Sequence, residues 1–351
     1  MLIASRCGTA FAIEAPASPT RSLAFPADFG AHPASRTEWW YVTGALDSGQ
    51  RTWGFQVTFF RVPTSLGGAE TSRFKAKQLL FAHAAVSDVA EARLRHDQRI
   101  ARAGFGIAEA STADTAVVLD GWRLTRDGAG GSSRYTAQAT SESAGFAVDL
   151  VLAAAEPVML QGDSGWSRKG PGVEQFSRYY SEPQLAARGR LAIDGRSFAV
   201  EGRAWLDHEW SDAYLDPQAT GWDWIGMNLD DGGALMAFRI RRSDGSTLWS
   251  GGSYRPRGGS VRSFAAGEVV FAPGRTWTST ATRARYPVEW QVATPIGSFG
   301  VRALFDDQEL DSRASTGTIY WEGLSLFVDA GGRRVGRGYL EMTGYAARLV
   351  L

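Results

Sequence analysis

The sequence predicts an all-β protein built as two consecutive antiparallel barrel-like domains, each closing around an apolar interior. Three observations lead there. Period-two alternation recurs from residue 38 to the end, and no segment holds a convincing helical period. The pairs Asp194-Gly195, Asp231-Gly232, Asp244-Gly245 and Gly331-Gly332 fall between alternating runs, where hairpins need them. At 351 residues the chain exceeds the size at which a single core usually stops growing.

Taken in order, residues 1–24 read as a tail or the remnant of a signal peptide. Met1 to Ala12 is apolar and Ala10-Phe11-Ala12 would serve as a small-residue cleavage site, but Arg6 interrupts the run and no basic segment precedes it. A periplasmic or secreted location is therefore expected, with the cytoplasm as the alternative. Cys7 is the sole cysteine and would leave with that segment, so redox arguments decide nothing. Residues 25–212 are assigned to the first barrel and 213–351 to the second. The boundary falls in the polar stretch Ser211 to Gly221, which carries Pro217.

Hairpin geometry places side chains on faces. Pairing Leu46 with Trp53 sets Glu38 opposite Arg61, on the apolar side that also carries Trp40, Val42, Phe55, Val57 and Phe59. Two opposite charges on one apolar face are expected to form a buried structural ion pair, since either alone would be very costly. Ala108 to Thr115 is the nearest approach to a helix. The glycine-rich tip Asp127 to Ser133 has no lysine and no following helix, so it is not a phosphate cradle.

Beyond the Asp194-Gly195 turn, alternation from Phe198 puts Leu206, His208 and Trp210 on the interior face. Asp207 and Glu209 point the other way. Adjacent Asp, His and Glu on one strand do not converge on a metal, so no metal and no cofactor is expected. Past the boundary, a two-residue turn at Asp231-Gly232 puts Asp223, Ile225 and Met227 on the apolar face with Met236, Phe238 and Ile240. It leaves Trp224 opposite Arg239 and Trp222 opposite Arg241 on the other face. An aspartate buried without a cation has a raised pKa and can act as a general acid, or it can anchor a loop through backbone amides. Glu322, on the face of Tyr320 and Leu324, reads as a structural group of a closing strand.

Composition narrows the partners. Net charge is zero and nothing gathers Lys and Arg on one face, which argues against nucleic acid or an anionic membrane. No apolar run is long enough to span a bilayer as a helix. Thirteen Trp suit an aromatic-walled cavity for an apolar small molecule, and equally a Trp-rich β core.

Several motifs together resemble the carotenoid 1,2-hydratase superfamily. They are Glu38-Trp39-Trp40-Tyr41, Phe59-Phe60-Arg61, Asp207-His208-Glu209-Trp210, Gly221-Trp222-Asp223-Trp224, Tyr320-Trp321-Glu322-Gly323 and Gly338-Tyr339-Leu340-Glu341-Met342-Thr343-Gly344-Tyr345. The secreted AttH-like branch, often encoded beside ABC transporters, looks nearest. The resemblance implies two lipocalin-like domains with a ligand site at or between them, and an association with an ABC transporter. It also implies hydro-lyase chemistry, in which an aspartic acid protonates an isoprenoid double bond and water adds to the cation. His208 and Trp210 match the His-x-Trp element of the hydratases. The strand Ala234 to Arg239 has no carboxylate where a hydratase is expected to carry one.

The resulting assignment names Asp223 and His208 as catalytic, and Trp210, Trp40, Trp224, Tyr180 and Met227 as the ligand wall. Three functions fit: a hydratase-like enzyme on an apolar, isoprenoid- or lipid-like substrate, a noncatalytic carrier, and a cyclase-like catalyst that shapes a polyene.

Overall fold

Side chains alternate between two faces along a strand, so a strand apolar on both faces must be covered on both sides. Many strands of this chain have that character, and the computed structural model shows what covers them. It describes residues 22–64, 76–128, 132–213 and 215–349. Residues 1–21, with Cys7 and Ala10-Phe11-Ala12, lie outside the described residues, as does the centre of the glycine-rich tip.

Two large antiparallel sheets carry the fold, one of thirteen strands and one of ten. In the first, the meander Thr37–Ser48, Arg51–Pro63, Gln78–Asp88 and Arg93–Arg102 joins the long hairpin Phe176–Ile193 and Arg196–Ser211, which continues into Phe146–Ala153 and its neighbours. The sheet curls around a core that includes Trp40, Trp53, Phe55, Phe59, Trp122, Tyr135 and Leu206. In the second, Ala219–Leu229 lies between Ala234–Arg242 and the last strand, Arg334–Thr343, around a core that includes Ile225, Met227, Tyr286, Trp290 and Trp321. The protein is thus all-β, with two lipocalin-like units. No described helix is long and apolar enough to cross a membrane. Ala108–Ala110 is a short strand, not the start of a helix.

The sheets also bury their other faces, against each other. Tyr41, Tyr179 and Trp205 of the first pack on Trp224, Met236, Phe238, Leu324 and Tyr339 of the second. Residues that alternation turns away from one barrel's interior therefore enter this junction instead of water.

Register follows turn chemistry. Asp194 and Gly195 both have positive φ (48° and 78°), so Ile193 pairs with Arg196 across a two-residue turn, and the interior set runs through His208 and Trp210. Glu38 faces Arg61. The Asp231-Gly232 turn differs. Gly232 donates to Leu229 O, Leu229 donates to Gly233 O, and Gly232 sits at φ 91°, the pattern of a turn closed by a glycine bulge. The bulge adds one residue. Asp223 accordingly faces Arg239, and Trp224 faces Phe238. This corrects the expected pairing of Trp224 with Arg239 and of Trp222 with Arg241. A one-residue slip exchanges the two faces of a strand.

Candidate functional site

The interior of the first barrel holds a closed polar cluster. Arg61 Nε donates to Glu38 Oε2 at 2.7 Å, and both side chains are fully buried. Arg61 also donates to the carbonyls of His32 and Ser35, each at 2.7 Å. Glu38 Oε1 lies 2.9 Å from His208 Nε2 and 2.8 Å from His32 Nδ1. Burial alone would raise the Glu38 pKa, but the bonds from His208 and His32 outweigh it and hold the carboxylate well below its usual range. Burial pushes His208 down to about 4 against the pull of Glu38, so it is neutral at ordinary pH. Its Nδ1 meets the Tyr180 hydroxyl at 3.1 Å, Trp40 stacks on its ring, and Trp210 stacks on His32 at 3.7 Å. His32, Glu38 and His208 bring ligand atoms within 4.8 Å of one another. These atoms are already bonded to each other and to a guanidinium, a donor set that suits a salt-bridged core better than a cation site.

Asp223 lies inside the second barrel and is fully buried. Arg239 Nε donates to it at 2.7 Å, Arg241 Nε lies 3.0 Å from the same oxygen, and the Tyr345 hydroxyl donates at 2.8 Å. The expectation that Asp223 has no cation beside it is thus corrected: two arginines hold it, the arrangement of an anchor. The glycine bulge at Gly232 is the reason, because it brings Arg239 onto the Asp223 face. Asp223 and His208 occupy different barrel interiors and do not share a cavity. Trp40, Tyr180 and Trp210 stay with His208, and Met227 belongs to the core of the second barrel. Among the expected wall residues, Trp224 alone lines the space described next.

That space lies between the two sheets. A cavity of about 340 Å³ is walled by Trp39, Phe60, Phe81, Trp222, Trp224 and Phe238, and its edge reaches Glu38 and Arg61. Besides Glu38, four carboxylates line it: Asp207, Glu209, Glu322 and Glu341. Two come from the strand face that alternation turns away from His208. The other two stand directly opposite each other on neighbouring strands of the second sheet.

Asp207 accepts from Tyr179 Oη and Trp205 Nε1, each at 2.7 Å, and from Ser181 Oγ. Ser181 is in turn held by Gln161 Nε2 at 2.8 Å, and Gln161 accepts from Ser253 of the second sheet. Burial raises Asp207 to about 7 in spite of these donors. Glu341 is likewise raised to about 7, first by burial, with the charges of Asp207 and Glu209 adding to it, while it keeps surface open to the cavity. Glu322, 2% exposed, is pushed well above its ordinary value by burial and then by Glu341. Neither of its oxygens makes a hydrogen bond of good geometry among the described residues, and the Tyr41 hydroxyl is the donor beside them. Glu322, expected as a structural group of a closing strand, lines the cavity from that strand. Glu209 accepts from Ser177 and pairs with Lys169 Nζ at 2.9 Å.

On the far wall the Tyr320 hydroxyl meets His83 Nδ1 at 2.8 Å, and His83 Nε2 meets Ser315 Oγ at 2.9 Å. Burial depresses His83 to about 3, so it is a neutral hydrogen-bonding group. Sequence reasoning passed over Asp207, Glu209, Glu341, His83 and Lys169 as site residues. The available signal was Trp205 on the same face as Asp207 and Glu209, with Trp39, Tyr41 and Phe60 on the matching face of the adjoining hairpin. Aromatic residues there mark a face that is covered.

Comparison with known proteins places this architecture. No curated protein matches the chain. A crystal structure of a candidate AttH from Nitrosomonas europaea is 48% identical, covers 94% of this chain and 99% of its own, and superposes with a TM-score of 0.86. Kievitone hydratase from Nectria haematococca shares the fold at 14% identity, covering 95% of each chain with a TM-score of 0.70. CghA, also 14% identical, covers 93% of this chain and 95% of its own at 0.53. The AttH-like family profile matches residues 16–345, and the chain belongs to the AttH-like family.

Proposed function

We propose that the cavity between the two barrels binds an apolar, unsaturated small molecule and hydrates a C=C bond by acid catalysis. One observation carries this reading: Asp207, Glu322 and Glu341, all held protonated toward neutral pH, meet in one aromatic-walled cavity. A carboxylic acid that stays neutral near pH 7 can donate a proton in an apolar site.

Glu341 is the acid in this scheme, because it is the raised carboxyl with surface on the cavity. Its proton passes to one alkene carbon, and the π electrons form the new C–H bond. The positive charge left on the other carbon is stabilised by the faces of Trp222 and Trp224 and by the carboxylate just formed. A water molecule adds to that carbon and returns a proton to Glu341, which closes the cycle. Glu322, directly opposite, keeps the proton on the pair, since two adjacent buried carboxyls resist ionising together. Kievitone hydratase, a hydratase by name, has this fold and supports the reading as an analogy of architecture.

The test begins with native mass spectrometry of protein purified from its own host, which identifies a co-purifying ligand. That ligand is then incubated with the protein in ¹⁸O-labelled water. The expected product gains one labelled water, and Glu341→Gln slows its formation by about 100-fold or more. Recovery of the ligand unchanged from active-site-intact protein overturns the catalytic step. It would leave the carrier reading, together with the transporter association that the family resemblance implies.

A further inference from the structure

The ligand of the cavity need not be wholly apolar. Glu322 lines the cavity with both oxygens buried and in no hydrogen bond of good geometry among the described residues, the neutral Tyr41 hydroxyl being the donor beside them. A buried carboxyl left so is costly whether or not it carries a proton, because its polar atoms lose water without replacement. Among the described residues, the side chains around it do not supply a cation. Glu341 faces it from the neighbouring strand and Tyr41 from the first sheet, while Tyr320 is engaged with His83 and Gln56.

The chain itself shows what this lining accepts. Lys169 brings its ammonium to Glu209 at 2.9 Å and sets it 4.8 Å from the centre of the Tyr179 ring and 4.6 Å from that of Phe238. One carboxylate and two aromatic faces thus hold one ammonium at the Asp207–Glu209 end. The Glu322–Glu341 end repeats the composition, with Trp222, Trp224 and Tyr41 nearby, and among the described residues no cationic side chain acts on Glu322.

We propose that the Glu322–Glu341 end of the cavity receives a protonated amine carried on an otherwise apolar ligand. The inference rests on the reading that this cavity takes an apolar ligand, and it adds the polar group which that ligand presents. An ammonium there donates to Glu322 while its hydrocarbon body lies along the aromatic walls. Because Glu322 holds its proton in the empty cavity, arrival of an ammonium ionises Glu322 and releases that one proton to solvent, while Glu341 keeps its own.

The experiment uses the full chain and two matched probes, decylamine and decanol, in competition with a fluorescent fatty acid near pH 7. The amine is expected to bind at least about tenfold tighter than the alcohol. That preference should disappear in Glu322→Gln. Wild-type protein alone gives a second readout, so the test survives a variant that does not fold. Calorimetry in buffers of different ionisation enthalpy should show proton release with decylamine and none with decanol. Equal affinities, or amine binding without proton release, overturn the amine inference and leave the cavity reading standing. Binding of neither probe overturns both.

Discussion

Glu38 and Asp207 show how one kind of side chain takes opposite states a short way apart. Glu38 meets a guanidinium and two imidazoles, and it stays ionised. Asp207 meets only neutral donors, and burial keeps its proton on. Removing one member of a buried ion pair strands the other, so Glu38→Gln and Arg61→Met should each cost roughly 3–5 kcal/mol. Urea melts measure this, and losses under about 1 kcal/mol would contradict the buried pair. The pH dependence of the two carboxylates runs in opposite directions. Asp207 is raised from 3.8 to about 7, so the native state holds a proton that the unfolded chain releases. Its contribution is whole below the unfolded pKa and is lost as pH rises through about 7. Glu38 is depressed, so its contribution is present above the unfolded value of 4.5 and lost as pH falls. Asp207→Asn should therefore gain on the wild type by about 2–3 kcal/mol between about pH 5 and pH 8, in melts of both proteins. A difference that does not change with pH would mean that Asp207 is an ordinary carboxylate.

At the scale of elements, legibility depended on turn type. The Ser48–Arg51 and Asp194-Gly195 hairpins have two-residue turns, and simple counting from them places Glu38, Arg61, His208 and Trp210 on the faces where they lie. At Asp231-Gly232 the glycine closes a bulge, and counting failed by one residue. That single residue separates a cation-free acid from an aspartate clamped by Arg239 and Arg241. Asp-Gly is compatible with either turn, so the dipeptide does not settle the register. The contact between sheets was also hidden, because alternation shows that a face is distinct without showing what covers it. Gly54 marks how close that contact is. A Cβ there would lie 2.4 Å from the Tyr339 hydroxyl and 3.0 Å from Leu324 Cβ. Gly54→Leu should therefore force the sheets apart and cost about 1–3 kcal/mol, read as a lowered thermal midpoint. An unchanged midpoint would show that the junction is looser than described.

For the whole molecule, the tryptophans serve packing more than a ligand. Trp40, Trp53, Trp122, Trp205, Trp290 and Trp321 are fully buried side chains, and five of these six fill the barrels' own interiors. Composition announced aromatic walls but did not say which space they enclose. That required the two sheets back to back, an arrangement set partly by side chains far apart in the chain, such as Gln56 and Tyr320. The motifs of the family resemblance contain Asp207, Glu322 and Glu341, so the residues were visible before their meeting place was. The central claim is that carboxyls stay protonated in the cavity between the barrels, and carboxyl-carbon NMR titration of labelled protein tests it most directly. Signals assigned through Asp207→Asn and Glu341→Gln should titrate near 7 for both residues. Midpoints at or below the ordinary 3.8 and 4.5 would contradict the account.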